Sequence, residues 1–68
     1  MADNLVNIYG TGKPYLAELI KQMLAQHDIN AFIVNKQDSA YKFGDIELYV
    51  DRDDVLKAKK LIREFEEH

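Results

Sequence analysis

The sequence predicts an α+β domain with the element order β-α-β-β-α, and three observations carry the prediction. Leu16, Leu19, Ile20, Met23 and Leu24 recur at the spacing of one stripe on an α-helix. The stretch that follows, Ile29 to Val34, is rich in the β-branched and aromatic residues that favour strands. Further on, Ile46, Leu48 and Val50 alternate with Glu47 and Tyr49, the period of a strand with one buried face.

The elements follow in order. Leu5 to Tyr9 is short and β-prone and forms the first strand, which Gly10 and Gly12 end. Pro14 suits the first turn of a helix, where its missing N–H is no loss. That helix runs to Gln26 or His27, with Glu18, Lys21, Gln22 and Gln26 on its polar side. Asp28 stands where a glycine usually takes the left-handed cap, and a protonated His27 would favour the helix dipole. Asn35 to Asp45 reads as a long polar loop with Tyr41 and Phe43 embedded, expected to be the most mobile segment. Asp51 is the expected N-cap of the last helix, with Asp53 and Asp54 in its first turn. Val55, Ala58, Leu61, Ile62 and Phe65 form its apolar face, and Leu56 stands off that face as an exposed hydrophobe. Leu19, Ile20, Met23, Ile33, Leu48 and Ile62 are the expected core.

With right-handed crossovers, this order is most of a split βαβ, or ferredoxin-like, plait. The three strands should lie antiparallel in the order 1-3-2 with both helices on one face. The other face and two strand edges are then uncovered. The uncovered face should display Leu5, Tyr9, Phe32, Val34 and Tyr49.

Composition narrows the function classes. The 68 residues form one domain, residues 1–68, with a thin core. No cysteine is present, which excludes disulfides and thiolate metal sites, and two distant histidines argue against structural zinc. No metal and no cofactor is expected. The net charge of −3 argues against general nucleic-acid binding, which rests on Lys and Arg against phosphate. No signal peptide and no membrane-length apolar run is visible, so a cytoplasmic protein is expected.

The chain resembles a family of small bacterial domains described as prokaryotic signal transducing proteins. Pro14 and Ala17-Glu18-Leu19-Ile20-Lys21 carry the first part of the likeness, and Ile29-Asn30-Ala31-Phe32-Ile33 the second. Val50-Asp51-Arg52-Asp53-Asp54 and Ala58 carry the third. The likeness spans roughly Val6 to Ile62; the family's glycine before Ile29 is replaced by Asp28. It implies a ferredoxin-like plait akin to the PII-like signalling proteins, and it brings no catalytic residues.

The remaining motifs are weighed on their chemistry. Gly10-Thr11-Gly12-Lys13 invites a phosphate-loop reading, but Asn7 and Pro14 occupy the positions where a Walker motif needs Gly and Ser or Thr. What survives is a helix N-terminus beside Lys13, a weak anion site. Acylphosphatase chemistry on this fold needs an arginine that the turn lacks, and carriers that bind metal at the same turn need cysteines. Base stacking on Tyr9, Phe32 and Tyr49 would resemble RNA-recognition domains, but Glu47 lies among them. Asp53-Asp54 and Glu66-Glu67 are helical neighbours that diverge, so no acid–base pair forms. No nucleophile–base pair can be named, which argues against an enzyme. The expectation is a small intracellular regulatory or protein-interaction module whose partner is a protein, a second copy included, with a small-ligand or anion sensor at Gly10 to Lys13 as the alternative.

Overall fold

A computed structural model describes residues 4–35 and 46–67. Its elements are β1 (Leu5–Thr11), α1 (Pro14–Ala25), β2 (Ala31–Asn35), β3 (Ile46–Asp51) and α2 (Val55–Glu66), with a 3₁₀ turn (Arg52–Asp54) leading into α2. The sheet order is β1-β3-β2, with β3 antiparallel to both neighbours. This is the predicted α+β ferredoxin-like plait. Beyond Asn35, the expected loop with Tyr41 and Phe43 lies outside the described residues.

The core is built by one parity of β3 and one stripe of each helix. Ile46, Leu48 and Val50 are buried on the same side of the strand, against Ile20 and Leu24 of α1 and Ala58 and Ile62 of α2. Fully burying side chains of this size contributes ~1.5–3 kcal/mol each. Both helices therefore cover the same sheet face, and the Cα extents of 33 × 32 × 15 Å are those of a two-layer slab.

The register of α1 departs from the expected one. Its buried residues are Ala17, Ile20 and Leu24, whereas Leu19 is 48% exposed. The small Ala17 lets the helix approach the sheet closely, which turns Leu19 toward solvent, one helical turn from the exposed Tyr15. Met23 and Ile33 are half-buried at the margin of the core rather than inside it.

The end of α1 explains why β2 starts at Ala31 rather than Ile29. Asp28 takes φ 64°, its N–H donates to the Ala25 carbonyl at 3.1 Å, and the Ile29 N–H donates to the Leu24 carbonyl at 3.0 Å. This pair of bonds around a left-handed residue is the Schellman closure. The Ile29 amide is used in ending the helix while its side chain joins Leu24 in the core. Lys57 Nζ of α2 also donates to the His27 carbonyl at 3.4 Å, a cation at the negative end of α1.

At the same end of the sheet, the Asp51 carboxylate accepts the Asp53 N–H at 2.9 Å, as expected of a cap. The helix it was expected to start opens instead with the 3₁₀ turn. Leu56 is 85% exposed, as the sequence predicts.

Candidate functional site: the open face of the sheet

Strand alternation and the pairing register define the face that the helices leave uncovered. Opposite Tyr49 on β3 lie Asn7 on β1 and Phe32 on β2; opposite Glu47 lie Gly10 and Val34. Leu5 faces Asp51 at the end of the sheet. Phe32 is 50% exposed and Val34 is also exposed, while Leu5 and Tyr49 are half-buried. The Tyr49 hydroxyl donates to the Glu47 carboxylate at 2.7 Å along the same side of β3. The centre of this face is thus a directly opposed Phe32–Tyr49 pair, flanked by Val34 and Leu5 and by the carboxylates of Glu47 and Asp51.

Tyr9 does not belong to this face, contrary to the sequence-based expectation. β1 carries a bulge between Asn7 and Tyr9, so the strand's parity changes partway along it. Before the bulge, Asn7 faces Tyr49 on the open side; after it, Tyr9 faces Leu48 on the helix side. There Tyr9 packs on the core margin, and its hydroxyl donates to Glu66 Oε2 at 2.9 Å, tying β1 to the end of α2. Burial, then the hydrogen bond to Glu66 and that carboxylate's charge, push the Tyr9 hydroxyl above its ordinary pKa. The Asn7 side chain supports the bulge by accepting the Tyr9 N–H at 3.0 Å. Asn is poorly suited to a strand interior and well suited to such i to i+2 bonds, so Asn7 is the sequence signal that would have located the bulge.

The anion-turn residues fall where β1 runs into α1. Gly10 and Thr11 extend β1, and Gly12 and Lys13 form the turn. Thr11 Oγ1 accepts the Lys13 N–H at 3.1 Å, and the Lys13 carbonyl accepts the N–H groups of Leu16 and Ala17 at 3.1 and 3.2 Å. The turn closes on itself, and Glu47 stands directly across from Gly10. A carboxylate in that place opposes an anion.

One feature has no counterpart in the sequence reading. Met23 and His27 of the α1 end meet Leu61, Glu64 and Phe65 of α2 around an open groove of about 260 Å³. Its apolar floor is the outer margin of the core, and His27 and Glu64 are its polar groups. No helix of the described residues is long and apolar enough to cross a membrane.

Among the described residues, then, the chain is a small α+β plait with both helices on one face of its sheet and the Phe32–Tyr49 pair on the other. The family model described as "Putative prokaryotic signal transducing protein" matches residues 5–66, and the chain belongs to that family. Searches against curated proteins and against solved structures returned no match.

Proposed function

We propose that this protein is a regulatory module that works by docking another protein on the open face of its sheet. The family's signal-transducing description supports a regulatory role of this kind. One observation carries the reading: Phe32 and Tyr49 are paired side by side on the face that carries no helix among the described residues, with Phe32 half-exposed. Aromatic residues are enriched at protein interfaces, and an apolar set rimmed by polar groups marks an interaction surface more often than a scattered exposed leucine does. The face supports binding rather than catalysis. Its carboxylates are engaged, Glu47 with the Tyr49 hydroxyl and Asp51 with the Asp53 amide.

A photo-crosslinking residue placed at Phe32 in the source cell tests this, with the same residue at Leu56 as the control. Specific protein adducts from position 32 and none from position 56 are expected. Equal labelling at both positions, or adducts only at Leu56, removes the open face as the working surface.

A further inference from the structure

We infer that the outer ridge of α2 docks on an anionic lipid surface, where Lys59, Lys60 and Arg63 meet the headgroups and Leu56 enters the apolar region between them. This is independent of the open face of the sheet. Three observations carry it.

The first is the sequence of the helix. From Leu56 to Arg63 there are four cations, Lys57, Lys59, Lys60 and Arg63, and no acid, in a chain whose net charge is −3. Lys59, Lys60 and Arg63 follow Leu56 by three, four and seven positions, the spacing of one helix face. Ala58 and Ile62, on the other side of α2, are buried in the core. The second is that the fold makes no use of these three charges. Lys59, Lys60 and Arg63 are exposed, and among the described residues no hydrogen bond or ion pair engages their side chains. Glu64 and Glu67 follow Lys60 and Arg63 by four positions, but cation before acid is the weaker order for a helical pair. Lys57 is engaged, at the end of α1. The third is Leu56, which heads the same face and is 85% exposed. Alone, an exposed leucine is ordinary. Beside unpaired cations it adds an apolar group to a basic surface.

Lipid fits this set better than protein or nucleic acid. Lys is depleted at protein interfaces, whose centres are apolar and aromatic, and Leu56 to Arg63 contains no aromatic residue. A lysine ammonium is a point charge on a flexible stem, which suits a fluid surface that offers diffuse negative charge. Asp53 and Asp54 precede the ridge, and Glu66 and Glu67 follow it. Phosphates fixed along a nucleic-acid strand would run onto those acids, whereas lipid headgroups rearrange beneath a bound protein. Clusters of about four cations on an amphipathic helix bind acidic lipids, each cation near the surface contributing about fivefold in affinity. Attachment of this kind requires no membrane-spanning helix. The ridge and the Phe32–Tyr49 pair lie on opposite sides of the sheet, so lipid on one leaves the other open to a protein.

The test mixes the full chain with vesicles of phosphatidylcholine alone, or of phosphatidylcholine with phosphatidylserine, followed by co-sedimentation. Binding to the phosphatidylserine vesicles and not to phosphatidylcholine alone is expected, weakening as salt rises. Lys59→Gln combined with Lys60→Gln should lower affinity roughly ten- to thirtyfold. Leu56→Ala should lower it roughly three- to tenfold. Circular dichroism should be unchanged in both variants, because the replaced side chains are exposed and the fold does not engage them. Equal binding to both kinds of vesicle, no binding to either, or unchanged affinity in the double variant overturns the inference. A duplex oligonucleotide that binds the full chain more tightly than the vesicles do overturns it in favour of nucleic acid. Specific protein adducts from a photo-crosslinking residue at position 56 overturn it in favour of an acidic protein, and adducts from position 32 decide separately whether the docking reading survives.

Discussion

β3 shows the two faces of the sheet within six residues. Ile46, Leu48 and Val50 are 2%, 0% and 0% exposed beneath the helices, while Glu47, Tyr49 and Asp51 on the other side are only half-buried. The helix face is where apolar burial holds the fold together. Among the described residues, the open face carries aromatic and aliphatic side chains, Phe32 and Val34 exposed and Leu5 and Tyr49 half-buried, that no helix covers.

The largest expected effect breaks the helix face. Leu48→Ala should cost ~2–5 kcal/mol, because a fully buried site collapses poorly around the cavity. In a domain of this size that is a large part of the total stability. Urea titration followed by circular dichroism measures it. Within α1 the same contrast is expected: Ile20→Ala should fall in the same range, and Leu19→Ala should cost less than about 1 kcal/mol. Equal losses at Ile20 and Leu19 would show that the helix is turned by a residue from the register described.

The bulge on β1 sets which residues belong to which face, and two substitutions sharpen that boundary. Asn7→Ala removes the acceptor of the Tyr9 N–H and should cost ~1 kcal/mol. Tyr9→Phe removes the bond to Glu66 and should cost roughly 0.5–1.5 kcal/mol. The sign of its pH dependence follows from the raised pKa of Tyr9, which burial chiefly causes and Glu66 reinforces. A hydroxyl whose pKa is higher folded than unfolded stabilises the fold fully below the unfolded value of about 10. That contribution is lost as pH rises through the folded value. Tyr9→Phe should therefore show a shallower loss of stability than the parent above about pH 10, measured by denaturant midpoints across the alkaline range.

The architecture was legible because hydrophobic period reports parity directly. Clean alternation on β3 named all three of its buried residues, and the 3.6-residue stripe located both helices. The errors fall where one residue shifts the count. In α1, a stripe drawn through the large apolar residues took in Leu19 and passed over Ala17, because size does not show which small residue the helix needs for close packing. In β1, the bulge moved Tyr9 from one face to the other, a change invisible to a strict period of two. Of the expected interaction face, Leu5, Phe32, Val34 and Tyr49 do share the open side, since β2 and β3 run without interruption. The groove beside His27 was not legible, because it depends on how the ends of two helices meet.

A smaller effect tests the end of α1. Asp28 holds a left-handed conformation that a Cβ disfavours, and glycine is the usual residue at such a helix end. Asp28→Gly should gain about 0.5 kcal/mol, the relief of the left-handed cost less the greater entropy of an unfolded glycine. A loss of stability instead would mean that the Asp28 side chain contributes to the closure beyond its backbone bonds.

The smallest effect on stability is expected at the residue that matters most to the proposed function. Phe32 is the most exposed residue of the aromatic pair, and it lies on an edge strand whose buried side is supplied by Ala31 and Ile33. Phe32→Thr removes the ring and puts a β-branched, strand-favouring residue in its place. Since that ring meets solvent rather than core, the urea midpoint should move by less than about 0.5 kcal/mol. Docking should fall sharply at the same time, because aromatic anchors carry a disproportionate share of interface energy. The two readouts separate the faces. A stability loss as large as that of Leu48→Ala would mean that Phe32 is packed by its own chain, and the open face would then be a second core rather than a place for a partner.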